Sequence, residues 1–157
     1  MVRAKGKSSG GDGSLDTKLR FFVYRHLIRS GRAPLVSEMA KAFARPLREV
    51  RSALERLSES HAFMVQENGE LWRVAPFSAI PTAFPVHIGK KSRFGNCIWD
   101  ALGIPAMLNK DATIDAACGC CNLRMPLEVK NGRLRQSEGI IHIAVPAREW
   151  YKDVVFT

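Results

Sequence analysis

Leu19, Phe22, Val23, His26 and Leu27 fall three and four positions apart, the spacing that lines up one face of a helix, and Ser30-Gly31 supplies the breaker behind them. This predicts a first helix starting at Asp16. Ser37 stands as the candidate N-cap of a short second helix over S-E-M-A-K-A-F. Pro46 opens a third, with Leu47, Val50, Leu54 and Leu57 facing inward. Beyond it the period changes from helical to alternating. Phe63 and Val65, then Leu71, Trp72 and Val74, flank the turn Glu67-Asn68-Gly69-Glu70 and predict a β-hairpin. Three helices and a hairpin in this order predict a winged helix-turn-helix.

The stretch APFSAIPTAFPV, residues 75–86, holds three prolines and cannot continue as a helix. It reads as an extended connector that lies across the C-terminal half of the chain, with Phe77, Ile80 and Phe84 packing around a pocket near Cys97. Next comes FGNCIWDALGIPAML, residues 94–108, an apolar segment that predicts a central helix. Short β-branched runs then predict strands at Thr113–Ala117, Pro126–Val129, Ile140–Val145 and Asp153–Phe156, with Lys130-Asn131-Gly132 as a turn. The expected fold is therefore α+β: an N-terminal winged helix-turn-helix, then a small mixed or antiparallel sheet domain around a central helix.

Composition refines the boundaries. Residues 1–15 are Gly, Ser and Lys rich with too few apolar groups to offset ordering entropy, and are expected to be a disordered basic tail. The helical unit then spans 16–76 and the sheet unit 77–157, and 157 residues can bury a core as one domain or as two small ones. No run of 18 apolar residues predicts a membrane span, and the basic N-terminus lacks the apolar stretch of a secretory signal. A cytoplasmic protein is expected. The net charge of +9 admits nucleic acid as a partner, and Arg45, Arg48, Arg51 and Arg56, around the start and exposed faces of the third helix, would be its contacts. A solvated helix face explains them as well, and DNA binding is not favoured.

The chemistry concentrates at Cys97 and Asp100. Positions i and i+3 share a helical face, so a thiol and a carboxyl can reach one bound atom in an apolar pocket. Burial raises the pKa of both groups, which would let the pair hold a proton near neutrality, and thiolates select soft metals. A bare C-x-x-D is more often a small core cysteine beside a surface acid. The longer run C-x-x-D-x-L-x-x-P-A, here Cys97, Asp100, Leu102, Pro105 and Ala106, resembles the active-site segment of the organomercurial (alkylmercury) lyase family from about Phe77 onward. The resemblance implies protonolysis of a carbon–mercury bond, giving Hg(II) and a hydrocarbon. Cys97 would be the first mercury ligand, Asp100 the proton shuttle and 77–157 the catalytic domain. It implies no organic cofactor, an organomercurial as small-molecule partner, and a mercuric reductase as candidate acceptor of Hg(II).

The resemblance also implies a second active-site cysteine beyond a segment similar to AVPAREWYKDVVFT, with which this sequence ends. The expectation is that the gene continues after Thr157 through a UGA codon read as selenocysteine. Cys118 falls near a family cysteine regarded as structural, while Cys120 and Cys121 have no placed counterpart. Cys118-Gly-Cys-Cys121 is also C-x-x-C, half of a zinc site. The only other candidates are Cys97, His26, His61, His87 and His142, so a closed structural zinc is not expected. A redox pair, a mercury-capturing cluster that feeds Cys97 and a packed turn stay open. The rival to catalysis is a basic winged-helix regulator or soft-metal binder built on the same scaffold.

Overall fold

The computed structural model describes residues 12–135, 139–143, 145–150 and 152. The first helix, α1 (Asp12–Ser30), begins four residues ahead of the expected Asp16, so the last part of the predicted tail is helical. Residues 1–11 lie outside the described residues. Leu19, Val23 and Leu27 form its buried stripe, as their spacing predicts. Gly31 closes it at φ 83°, and a Cβ there would meet the Ser92 carbonyl oxygen at 2.6 Å. Only glycine meets both conditions.

Helix α2 (Val36–Phe43) starts at Leu35 rather than Ser37. A leucine side chain cannot cap, and two carboxylates take over: Glu38 of the helix's own first turn accepts from the Leu35 N–H at 2.8 Å, and Glu70, from the hairpin turn, accepts from the Val36 N–H at 2.9 Å. Helix α3 (Leu47–Glu59) follows Pro46 and buries Val50, Ala53, Leu54 and Leu57. Leu47, expected inside, is 48% exposed at the first position of the helix.

Strands β1 (Met64–Val65) and β2 (Leu71–Val74) form the expected hairpin. The proline-rich connector behind them contains a strand of its own, β3 (Phe77–Ser78), paired on one side to β2 and on the other to β5 (Lys91–Gly95). With β4 (Pro85–Ile88), β5 makes a hairpin at the middle of the molecule, turning at Gly89 with φ 58°. Strands β6 (Ala112–Ile114), β7 (Leu127–Lys130) and β8 (Arg133–Leu134) complete one antiparallel sheet in the order β1-β2-β3-β5-β4-β6-β7-β8. The turn at Asn131-Gly132 is as predicted. Ile140–Ile143 and Val145 form no strand: Ile140 is 94% exposed, and the apolar run is a cavity wall instead of a ladder. The candidate strand Asp153–Phe156 lies outside the described residues.

Helix α4 (Ile98–Leu108) lies on the sheet against β3, β4, β5 and β6, burying Ala101, Ile104 and Pro105. It runs through Pro105 and ends at Asn109, whose φ of 49° is left-handed. Its close seat depends on Gly95, where a Cβ would lie 2.6 Å from the Ala101 nitrogen. One hydrophobic cluster runs from Leu19 of α1 through Phe63 and Phe77 to Ile114 and Val129 of the sheet. Lys91 and Arg93 tie β5 to α1 by donating to the carbonyls of Arg29 and Ile28, at the end of that helix where cations are favoured.

Candidate active site

The N-terminal turn of α4 opens onto a cavity of about 490 Å³. The β1–β2 side contributes Phe63, Met64 and Arg73, the connector contributes Phe84, and Ile141, His142, Ile143 and Trp150 close the far wall. Cys97 and Asp100 both line it, as the sequence predicts. The geometry differs from two positions i and i+3 inside one helix. Cys97 is the N-cap, extended at φ −145° and ψ −179°, and Asp100 is the third residue of the helix. The thiol makes no cap hydrogen bond; the N-cap and the third position lie on the same side of the first turn, which places a thiol and a carboxyl at one cavity wall without a full turn between them.

Asp100 is half-buried, and this loss of solvent pushes its carboxyl above the ordinary aspartate value of 3.8. The Asn96 side chain, the Arg73 charge and the Asn96 backbone N–H act in the opposite direction and only partly offset it. Asn96 also sets the direction of the carboxyl. Its Nδ2 donates to Asp100 Oδ2 at 2.8 Å and to the Phe77 carbonyl at 3.3 Å, linking the acid to β3. Asn96, four residues before Asp100, and Arg73 were not singled out in the sequence. Adjacency to Cys97 is a signal that could have marked the first, whereas Arg73 comes from a strand remote in sequence.

Of the three connector residues expected around Cys97, only Phe84 lines the cavity. Phe77 is fully buried behind it, and Ile80 is 37% exposed, turned out by the bend in which Ser78 Oγ donates to the Ile80 carbonyl. Cys118, Cys120 and Cys121 do not line the cavity. They occupy the tip of a loop closed by the bridge between Ala117 and Arg124 and by the Cys118 N–H donating to the Leu123 carbonyl at 2.8 Å. The backbone N–H groups of Cys121 and Cys120, and then the Cys121 thiol, hold the Cys118 thiol below its ordinary value. All four cysteines are free.

The sequence profile of the family described as MerB: Alkylmercury lyase matches residues 77–157, more than half of the chain. The chain belongs to the alkylmercury lyase family. Alkylmercury lyases from Bacillus cereus and Clostridium butyricum are each 22% identical to it over 149 residues, covering 93% of this chain and 66% of theirs. The chain thus spans just under two thirds of the length of these lyase relatives. Among solved structures, the mercury-bound form of MerB2 superposes with a TM-score of 0.55 at 20% identity, over 76% of this chain and 66% of that one. That likeness extends the family's α+β fold to the arrangement of helices and antiparallel sheet described above.

Proposed function

We propose that this chain is an organomercurial lyase in which Cys97 binds the mercury and Asp100 protonates the carbon. The observation that carries the reading is the meeting of a thiol and a half-buried carboxyl, its proton held more tightly than usual, at the wall of one largely apolar cavity. A soft sulfur ligand suits mercury and weakens its bond to carbon. The Asp100 proton then forms the new C–H bond as the C–Hg electron pair leaves mercury. The hydrocarbon departs, Hg(II) stays on sulfur, and the carboxylate regains a proton from water. Asn96 keeps the carboxyl aimed, and Phe84, Trp150, Ile141 and Ile143 exclude water from the reacting pair. A cytoplasmic setting and a mercuric reductase as acceptor of Hg(II) belong to the same reading.

The α1–α3 layer with its hairpin we read as a winged helix used for packing. Its arginines support this: Arg56 pairs with Asp16 at 2.7 Å and Arg45 with Glu49 at 3.4 Å, so two of the four cations expected at DNA are engaged within the fold. Incubation with an arylmercury salt and excess monothiol, with the released arene measured, tests the enzyme against the binder. Turnover is expected, abolished in Cys97→Ser and reduced by about 100-fold or more in Asp100→Asn, the scale of general acid catalysis. Asp100→Asn should still bind the organomercurial. Retention of mercury without any arene would establish the binder, and equal loss of binding in both variants would make Asp100 a ligand.

A further inference from the structure

We infer that the loop from Cys118 to Cys121 is a second mercury site, a two-coordinate Hg(II) port made by the sulfurs of Cys118 and Cys121 and separate from the cavity that holds Cys97. The loop is a built turn. Asn122, left-handed at φ 57°, donates its N–H to the Cys118 carbonyl at 2.8 Å, and the two ends pair at Ala117 and Arg124. That fold-back puts Cys118 and Cys121 three residues apart on one tight turn, a spacing at which two thiols can reach one ion.

The choice of ion follows from ligand number. Zinc needs four ligands in a tetrahedron. Among the described residues no three His, Cys, Asp or Glu side chains gather as a metal-holding group. A soft ion satisfied by two thiolates in line matches what the turn offers, and Hg(II) is the ion the proposed reaction would release. Binding displaces one proton from each thiol and changes no oxidation state: two S–H bonds break and two S–Hg bonds form. Cys120, exposed like Cys121, lies between the two ends of the turn and is outside the pair.

The loop also has a structural path to the cavity. Its neck, where the Met125 N–H donates to the Ala116 carbonyl at 2.8 Å, carries the Met125 side chain against Gly139; a Cβ on that glycine would lie 2.9 Å from Met125 Cε. Two residues further, Ile141, His142 and Ile143 wall the cavity. The identity of the ion's source rests on the proposed lyase reaction, but the site itself does not.

The test therefore uses the full chain with Cys97→Ser, which removes the cavity thiol. It is titrated with mercuric chloride in excess monothiol, following the ultraviolet thiolate–mercury absorption and the bound metal after gel filtration. A single thiol is outcompeted under these conditions, whereas two held on one turn persist through their effective concentration. One equivalent of mercury should remain, should be lost with a further Cys118→Ser or Cys121→Ser, and should survive Cys120→Ser. An equal excess of zinc should not displace it. Far-ultraviolet circular dichroism should be unchanged in each variant, since the loop tip is exposed. Mercury that persists without Cys118 and Cys121, disappears with Cys120, or yields to zinc would overturn the port. Arene release by the parent chain is read separately, so the port can stand if the lyase reaction fails.

Discussion

At the residue scale, Asp100 is held in a compromise between burial and polar support, and the sign of that compromise is measurable. Burial raises its pKa, so the folded protein holds this proton more tightly than the unfolded chain does. Stability associated with the group is therefore present below the ordinary value of 3.8 and is lost as pH rises through the higher folded value. Asp100→Asn escapes this loss. It should unfold at a higher temperature than the parent near neutral pH, and the two proteins should converge once both unfolded and folded carboxyls are protonated. Thermal unfolding at the two pH values checks this, and an Asn variant less stable at neutrality would mean that the carboxylate is more a partner of Arg73 and Asn96 than a buried acid. The pairing of Cys97 with Asp100 was legible from their spacing. Its geometric basis was not, because helix periodicity locates a face and says nothing about which residue is the cap. Asn96 escaped notice for a related reason: an Asn ahead of a helix reads as a turn residue until its hydrogen bonds to Asp100 and Phe77 are known.

At the element scale, helices with regular apolar spacing were readable and the strands nearest the site were not. The β1–β2 hairpin has alternating side chains around Asn68-Gly69, and it formed as expected. The β4–β5 hairpin breaks that rule. Its buried positions on β5 are Arg93 and Gly95, a cation and a residue with no side chain, so the pattern carries no hydrophobic alternation to detect. Each has a tertiary reason. Arg93 reaches the Ile28 carbonyl at the end of α1, and Gly95 makes room for the backbone of Ala101. The converse error occurred at Ile140–Ile143, where an apolar run looked like a strand because period and composition cannot distinguish a ladder from a cavity wall. Gly95→Ala is the sharp test of the α4 seat. Its Cβ would meet backbone at 2.6 and 2.8 Å, which cannot rotate away. A loss of about 1–3 kcal/mol in denaturant unfolding is expected, the usual cost of overpacking. Turnover should fall with it, since the first turn of α4 carries both Cys97 and Asp100. Unchanged stability would show that the helix slides on the sheet without resistance.

At the scale of the whole molecule, the change in composition at the proline-rich connector suggested a helical unit and a sheet unit joined by a strap. The folded chain uses that strap as β3, so the hairpin behind the helices and the strands around the site belong to one sheet. Prolines at 76, 81 and 85 hid this, because each excludes helix but leaves a two-residue strand possible between them. Phe77 sits at the splice. It is fully buried, its ring stands 6.4 Å from Tyr24 of α1, and its carbonyl holds Asn96 beside the acid. A core shared in this way predicts one cooperative transition: far-ultraviolet circular dichroism, which follows α1–α3, and tryptophan fluorescence, which follows Trp72, Trp99 and Trp150, should give the same midpoint. Phe77→Ala should lower that common midpoint by the equivalent of about 3–5 kcal/mol, the range for deleting a buried aromatic side chain. Two midpoints in the parent would mean that the helical layer folds on its own. A Phe77→Ala effect confined to the fluorescence signal would place the splice inside the sheet unit alone. With a single midpoint, perturbations in the α1–α3 layer should reach Asp100 through Phe77 and Asn96, so that layer would support the site even if it never contacts a nucleic acid.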